Sequence, residues 1–401
     1  MRINQRRPFV NILAMVPPIN RRLKPLIILI IILVVSCQLS VLSCFGQLPR
    51  YVRVAIFQEL SSLRLKIKGS YEIIDSTNNK VLIRGRNLNT TVTVYPQGIL
   101  LGNTRAKTDK FLIKPYYPQP VIINGRSFRG DIQLIKSNTK LSAVNHIDLE
   151  DYVKGISVRE TSHYWPFDSL KAEVIVFRTF ALYKMQENAH KDFDLTSDIY
   201  SQAYGGRAAE RYRINKAVDE TKGLALTYRG KIFPSFYHAT CGGYTDDAAL
   251  LWNVDTPPLK GVSCNFCQDS QHFKWHSVLS LKEVNDALVK GGLRIEDIKD
   301  IIILGRHKSG RITDLKIVTV KKDATISAKD FRNTLGPNVI KSTNFQVKLV
   351  DHDAVFEGFG WGHGVGLCQW GAYFMAKQGY TYEQILEYYY PGAQVSLAAG
   401  R

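Results

Sequence analysis

Acidic residues are scarce in this chain, and its first 24 residues contain none. The 401 residues include 35 aspartates and glutamates against 53 lysines and arginines, which gives a formal net charge of +18. This balance favours an anionic partner: nucleic acid, an anionic membrane surface, or an anionic polymer such as a cell wall. Internal repeats and low-complexity tracts are also absent, and apolar residues make up 45% of the chain. These features argue against disorder and predict a globular protein.

Charged residues are missing altogether from residues 26–46, which read LIILIIILVVSCQLSVLSCFG. About 20 apolar residues can cross a bilayer as a helix. The basic residues within 1–25 predict that the N-terminus stays in the cytoplasm and that the rest of the chain lies outside. A buried core helix is the alternative, but such a helix should show a polar face.

The same apolar segment also fits a signal peptide. Cys37 and Cys44 each follow a serine after aliphatic residues, which resembles a lipoprotein processing site. An anchor, a lipoprotein and a cleaved signal all predict an exported protein, facing the periplasm or the cell wall. Export argues against nucleic acid as the partner, so we expect the basic charge to face the wall or the membrane.

Cysteine is scarce, and a chain of this length does not need disulfides to hold it together. The cysteines outside the apolar segment are Cys241, Cys264, Cys267 and Cys368, and the histidines near the first three are His238, His272 and His276. A C-x2-C pair can present two thiolates to one metal ion, and a third cysteine with a histidine would complete a tetrahedral, structural zinc site. A disulfide or inert thiols are the alternatives. Cys368, among glycines and aromatic residues, is expected to be a small packed hydrophobe.

Two regions with different patterns follow the apolar segment. Residues 47–145 alternate apolar and polar residues with glycine, asparagine and proline between the runs, which predicts a β-rich region. Residues 146–400 mix helices and strands, with a long helix predicted at 165–190 and an insertion predicted around 276–345. The predicted fold class is therefore α+β: a β-rich N-terminal part packed on a mixed α/β catalytic body, after an N-terminal transmembrane or signal segment.

Glu160 is the candidate acid of this α/β body. It precedes the long predicted helix, with Tyr164 and Trp165 close by in sequence. A carboxyl group partly desolvated beside aromatic rings has a raised pKa and can hold a proton near neutral pH. A solvated loop glutamate is the ordinary alternative.

A second candidate site is the glycine-rich loop GFGWGHGVGLCQWGA at 358–372. Its glycines would let the backbone approach a ligand closely. The tryptophans suit stacking on sugar rings, and His363 and Gln369 can hydrogen-bond to hydroxyl groups.

Four segments together resemble the stage II sporulation protein D / amidase-enhancer (SpoIID/LytB) family. They are DLEDYVKGISVRETSHYWPFDSLKAEVIVFRTFALY, SDIYSQAYGGRAAE, VDETKGLALTYRGKIFPSFYHATCGGYT and GFGWGHGVGLCQWGAYFMAKQGYTYEQILEYYYPG. The resemblance implies a catalytic region within 146–400. It also implies a lytic transglycosylase that cuts peptidoglycan strands, stripped of stem peptides, between N-acetylmuramic acid and N-acetylglucosamine, with a 1,6-anhydro product.

The resemblance also implies roles for single residues. Glu160 matches the family's proposed acid/base, and the matching cleft residues are Arg178, Gln202, Tyr204, His363 and Gln369. Zinc has been associated with some family members, and the set here is Cys241, Cys264, Cys267 and either His238 or His272. No organic cofactor is expected. The sequence departs from the family pattern at Glu173, where glutamine is usual.

A single carboxylate suits this chemistry. Hydrolysing glycosidases usually need two, whereas a lytic transglycosylase can use one group as acid and then as base, because the attacking hydroxyl belongs to the substrate. The expected partners are peptidoglycan strands, a cell-wall amidase and, through the N-terminal segment, the membrane. The alternatives are an amidase enhancer that binds the wall without cutting it and a metallohydrolase centred on the His/Cys cluster.

Overall fold

The computed structural model of the protein describes residues 51–398, apart from 117, 199 and 200. The segments predicted at 1–25 and 26–46 lie outside the described residues. Within 51–398, no helix is both long and apolar enough to span a bilayer.

Ten strands form the β-rich N-terminal part. They are β1 (Tyr51–Leu60), β2 (Ser62–Asp75), β3 (Val81–Tyr95), β4 (Gly98–Leu101), β5 (Thr104–Ala106), β6 (Lys110–Pro115), β7 (Val121–Ile123), β8 (Arg126–Phe128), β9 (Asp131–Ser137) and β10 (Lys140–Asp148). With β11 (Leu195–Thr196) they make one sheet in the order β11-β1-β10-β9-β6-β2-β3-β4-β5, in which β7 pairs with β2 and β8. The alternation predicted from sequence is clear in β2, where Leu63, Leu65 and Ile67 are buried and the residues between them are exposed. The β-rich N-terminal part is confirmed.

The helices lie in the second part of the chain. Those in the described residues are α1 (Leu149–Glu160), α2 (Phe167–Glu187), α3 (Tyr212–Glu220), α4 (Ala248–Trp252), α5 (Leu281–Lys290), α6 (Ala328–Leu335), α7 (Gln369–Lys377) and α8 (Tyr382–Tyr389). The Asp148 carboxylate caps α1 by accepting from two backbone N–H groups of its first turn. Helix α2 begins after Pro166 and is buried over most of its circumference, because α1, α3, α7 and α8 all pack on it.

Two small β elements connect these helices. Strands β12 (Leu224–Tyr228), β13 (Lys231–Ile232) and β22 (Gln394–Leu397) form a sheet in the order β13-β12-β22. Strand β14 (Tyr237–His238) pairs in parallel with β21 (Leu367–Cys368), so His238 lies opposite Cys368. This short pair brings the glycine-rich loop beside the segment that carries Cys241. The mixed α/β character predicted for this half of the chain is confirmed.

Residues 274–359 surround a hydrophobic core of their own. The strands are β15 (Lys274–Ser280), β16 (Ile298–Ile303), β17 (Asp314–Thr319), β18 (Ala324–Ser327), β19 (Phe345–Val350) and β20 (Asp353–Phe359). They form two three-stranded sheets, β15-β20-β19 and β16-β17-β18, and helices α5 and α6 complete the unit. Its core is centred on Trp275, Phe331, Phe345 and Phe356. The insertion predicted around 276–345 lies within this unit, and its bounds stay a prediction.

Glu173 is an uncompensated acid in the middle of α2. Its side chain is fully buried, and neither carboxyl oxygen has a hydrogen-bond partner among the described residues. Burial raises the pKa of Glu173 well above its ordinary value, the nearby Glu160 raises it further, and the Thr161 hydroxyl opposes the shift. Glu173 therefore keeps its proton in the folded protein to a much higher pH than a solvated glutamate does.

We expect Glu173→Gln to stabilise the protein increasingly as pH rises. The unfolded chain ionises Glu173 near its ordinary pKa of 4.5, whereas the folded protein keeps the proton. Stability is thus lost as pH rises above that value, by up to about 1.4 kcal/mol per pH unit. Urea denaturation should show little difference between variant and wild type at pH 4 and a large one at pH 8. Glu187→Gln, at the exposed end of the same helix, is the control, and a pH-independent difference for Glu173→Gln would contradict the assignment.

Candidate active site

Glu160 is the last residue of α1, not a loop residue. The helix ends there because Thr161 is extended, with φ −146° and ψ 162°. The backbone N–H of Ala203 donates to the Glu160 carboxyl at 2.7 Å, and the Tyr237 hydroxyl also forms a hydrogen bond with it. The acid is therefore fixed at the junction of α1, the loop after β11 and strand β14.

The surroundings of Glu160 act on its pKa in opposite directions. Burial raises the pKa above its ordinary value, and the hydrogen bonds from Ala203 and Tyr237 lower it, with burial the larger effect. The net pKa is raised. Glu160 therefore keeps its proton to a higher pH than a solvated glutamate does, which suits a proton donor.

A cleft of about 700 Å³ opens over Glu160. Trp165, Trp361 and Trp370 line it, and the Trp165 and Trp370 rings lie 5.2 Å apart. Tryptophan side chains offer flat apolar faces with an N–H donor. Among the described residues that line the cleft, Glu160 is the only acid.

Two arginines give the cleft a positive charge. Arg159 and Arg211 both line it and are exposed. Arg211 donates to the backbone carbonyls of Ala208 and Glu210. Within residues 51–398, neither arginine forms an ion pair with a carboxylate. The cleft is therefore suited to an anionic ligand.

Two of the predicted cleft residues lie close to the acid. Gln369 lines the cleft, and its amide donates to the backbone carbonyl of Glu160 at 3.0 Å. Gln202 lies beneath the cleft, fully buried, where its amide donates to the Tyr237 hydroxyl at 3.4 Å and its oxygen accepts from Tyr152 at 3.0 Å. Gln202 thus positions Tyr237, a neighbour of Glu160 that the sequence reasoning missed. No motif in the sequence singles out Tyr237.

Arg178 and Tyr204 do not line the cleft, which corrects their predicted placement. Arg178 is fully buried and forms a bidentate ion pair with Glu150, with nitrogen–oxygen distances of 2.7–3.0 Å for the closest contacts. Tyr204 is also buried, and its hydroxyl donates to the Asn145 side chain at 2.8 Å. Both residues hold α1 in place and have a structural role.

His363 also lies outside the cleft lining. Its ring packs 5.0 Å from Trp252 and 5.5 Å from His238, and its Nδ1 accepts from the Val365 N–H at 3.1 Å. Burial and the charge of Arg311 lower the pKa of His363 to about 3. His363 is therefore neutral and packed at physiological pH.

The glycines of this loop serve close packing within the protein. Gly360, Gly362, Gly364 and Gly366 all have positive φ, between 71° and 111°. A Cβ atom at Gly364 would lie 2.0 Å from the Arg311 side chain, and one at Gly366 would lie 2.0 Å from a backbone oxygen. The sequence had suggested that the glycines admit a ligand, but here they admit neighbouring segments of the chain.

Four buried cysteines form a candidate metal centre. Cys241, Cys264, Cys267 and Cys368 are all free thiols, and their sulfur atoms lie within 4.8 Å of one another. Zinc–sulfur bonds of about 2.3 Å place tetrahedral sulfurs roughly 3.8 Å apart, so the set fits zinc. Backbone N–H groups point at two of the sulfurs, from Cys241 to the Cys368 sulfur at 3.3 Å and from Gly243 to the Cys241 sulfur at 3.4 Å. Such donors favour the thiolate form.

The four-sulfur group differs from the predicted ligand set, because neither His238 nor His272 belongs to it. The His238 Nδ1 lies 3.1 Å from the Val365 carbonyl oxygen. His272 lies in the cleft, with its ring 4.8 Å from that of Trp361. Cys368, expected to be a packed hydrophobe, supplies the fourth sulfur instead. The sequence alone could not show this, because pairing of β14 with β21 is what brings Cys368 to the other three.

Comparison with known proteins identifies relatives. The stage II sporulation protein family model matches residues 137–228, and a domain of unknown function (DUF8618) matches residues 261–366. An uncharacterised protein of Brachyspira hyodysenteriae is 34% identical over 358 residues, which cover 86% of this chain and 92% of that protein. Stage II sporulation protein D of Bacillus subtilis is 29% identical over 275 residues, 65% of this chain and 78% of that protein.

The amidase enhancer of Bacillus subtilis is a further relative, 26% identical over 291 residues that cover 61% of this chain and 40% of the enhancer. The matched region 137–228 contains Glu160 and the whole of α2. The chain belongs to the stage II sporulation protein D / amidase-enhancer family.

Proposed function

We propose that this protein is an exported lytic transglycosylase that cleaves peptidoglycan glycan strands, with Glu160 as acid and base. The observation that carries the proposal is the position of Glu160, which burial gives a raised pKa and which is the sole acid among the described residues that line a cleft walled by tryptophans. The tryptophan faces suit sugar rings. Arg159 and Arg211 suit the carboxylates of muramic acid. The sequence-based expectation of export through residues 26–46 is part of this proposal.

The reaction needs one proton shuttle. Protonated Glu160 donates to the glycosidic oxygen as the bond to C1 breaks, and N-acetylglucosamine leaves as an alcohol. The Glu160 carboxylate then accepts the proton of the muramic acid C6 hydroxyl while O6 attacks C1 and closes the 1,6-anhydro ring. No water is consumed, and Glu160 ends protonated. Attack within one sugar supplies the proximity that a second catalytic residue would otherwise provide.

Replacing the acid should abolish cleavage without unfolding the protein. We expect Glu160→Gln to lower the rate of anhydro-product release from denuded glycan strands by about 10²- to 10⁴-fold, measured by mass spectrometry. Glu187→Gln removes an exposed carboxylate elsewhere and should cleave normally. Binding of the variant to insoluble peptidoglycan should persist.

A non-catalytic amidase enhancer is the second candidate function, and the relative of that name favours it. If neither wild type nor Glu160→Gln releases anhydro products while both bind peptidoglycan, the enhancer function replaces the enzyme. In that event a cell-wall amidase is the partner to test. A metallohydrolase is disfavoured, because four thiolates would leave zinc no open position for water.

Tyr237→Phe should move the pH profile of cleavage to higher pH. The Tyr237 hydroxyl lowers the pKa of Glu160, so its loss raises that pKa further, and the required proton is retained to higher pH. The descending alkaline limb of kcat/KM should therefore shift upward. Tyr204→Phe removes a buried hydroxyl bonded to Asn145 instead and is the control. An unmoved limb, or a shift to lower pH, would show that the Tyr237 contact does not tune the acid.

We also propose that the four cysteines bind one structural zinc ion. The ion would tie the C-x2-C loop to the segment just after β14, which carries Cys241, and to the start of α7, which Cys368 caps. Zinc would supply a cross-link there and take no part in proton transfer, which Glu160 performs.

Elemental analysis should find about one zinc per chain. Cys368→Ser should lose the metal, and His272→Gln should keep it, because His272 faces the cleft and not the sulfurs. Zinc retained in the first variant and lost in the second would restore a three-cysteine, one-histidine set. Wild-type protein without zinc, with its cysteines paired on a peptide map, would indicate a disulfide instead.

A further inference from the structure

Arg311 is a buried cation that lacks a free anionic partner. It lies between β16 and β17, is 1% exposed, and donates through Nη2 to the Cys241 carbonyl at 3.0 Å. Its Nε and Nη1 atoms have no hydrogen-bond acceptor among the described residues. Gly364 has no side chain to displace it, and the guanidinium therefore lies directly against the glycine-rich loop.

The carboxylate that interacts favourably with Arg311 is already engaged by other groups. Asp246 interacts favourably with Arg311, but its two oxygens accept from His307 Nδ1 at 2.8 Å and from the Ser309 hydroxyl at 3.0 Å. Burial lowers the pKa of Arg311, although a guanidinium remains charged. A buried cation with this little compensation is costly to the folded state.

The other groups that favour the charged form of Arg311 are cysteines of the proposed metal centre. Cys241, Cys267 and Cys368 each stabilise its charged form when they are thiolates. Four thiols are neutral, but four thiolates around a divalent cation carry a net charge of −2. Metal binding displaces the thiol protons, so it creates the missing anion next to Arg311.

We propose that Arg311 is the counter-charge of a metal–tetrathiolate centre, and that metal binding thereby locks the 307–311 loop of the 274–359 unit against the glycine-rich loop. This rests on the zinc proposed above, but not on the transglycosylase activity. The same loop holds Asp246 through His307 and Ser309, and Asp246 N–H donates to the Gly364 carbonyl at 2.7 Å. The proposed metal centre, the 307–311 loop and the glycine-rich loop therefore form one connected set of contacts.

The link extends to the acid. Cys368, a ligand of the proposed centre, immediately precedes Gln369, whose amide donates to the Glu160 carbonyl. Locking of the 307–311 loop should therefore also restrain Gln369, which lines the cleft. Arg311 acts here as a positioning residue and does not touch the substrate.

The test compares zinc affinities of the full chain by competition with a chromophoric chelator. Arg311→Met, which keeps length but removes charge, should weaken zinc binding about 10- to 100-fold, as loss of outer contacts to metal ligands generally does. Arg311→Lys keeps the charge and should recover most of the affinity. The control is Arg306→Met, immediately before that loop, since Arg306 donates to the Gly310 and Phe345 carbonyls and not to that of Cys241. It should bind zinc about as tightly as wild type.

A second measurement needs no variant and so survives any folding failure. Hydrogen exchange of the backbone amides in 307–311 should be slow in the zinc-loaded wild type and accelerate when zinc is removed by a chelator. Equal affinities for Arg311→Met and wild type, or equal losses in Arg311→Met and Arg306→Met, would overturn the inference while leaving the zinc site intact. Unchanged exchange on zinc removal would overturn the locking. Wild type that binds no zinc would overturn the zinc proposal and this inference together, and leave the glycan-cleavage assay unaffected.

Discussion

The last turn of α1 is held by three parts of the chain that are far apart in sequence. Gln369 fixes the Glu160 carbonyl, and Ala203 and Tyr237 fix its carboxyl. Each contact comes from a different segment, so neither the backbone nor the side chain of Glu160 can move without disturbing the glycine-rich loop, the loop after β11 or β14. A carboxyl held in this way has little freedom to lose when a substrate binds, and such preorganisation favours proton transfer.

Two buried arginines, Arg178 and Arg311, hold together the elements that carry the site. Arg178 is neutralised by Glu150 and also donates to the Leu224 carbonyl at 3.0 Å, so one pair joins α1, α2 and β12. Removing one partner would leave the other as an unpaired buried charge, which is strongly destabilising. The pair therefore holds these three elements together. Arg311 has no comparable carboxylate to itself. The two arginines therefore differ in kind: the first is satisfied by the fold alone, and the second is satisfied by the fold only when its sulfur neighbours are charged.

The predictions that succeeded came from local sequence patterns. Period-two alternation located the β-rich part, and helical spacing after Pro166 located α2, because both signals come from neighbours in sequence. The misplaced residues depend on distant partners. Arg178 and Tyr204 carry polar groups that suit a cleft, and only the positions of Glu150 and of Asn145 show that those groups are used internally. Cys368 likewise joins the other cysteines through strand pairing, which spacing along the chain does not encode.

The two neighbouring acids, Glu160 and Glu173, have the same chemistry and differ in their access to the cleft. Glu160 opens to the cleft, whereas Glu173 is sealed within α2 without a hydrogen-bond partner among the described residues. When Glu160 gives up its proton, its charge raises the pKa of Glu173 further, so ionisation of the buried acid becomes still less favourable while the acid that faces the cleft is ionised. Only one negative charge then develops at the site. It lies on the carboxyl that faces the cleft, next to Arg159, where it can accept a proton from a sugar hydroxyl.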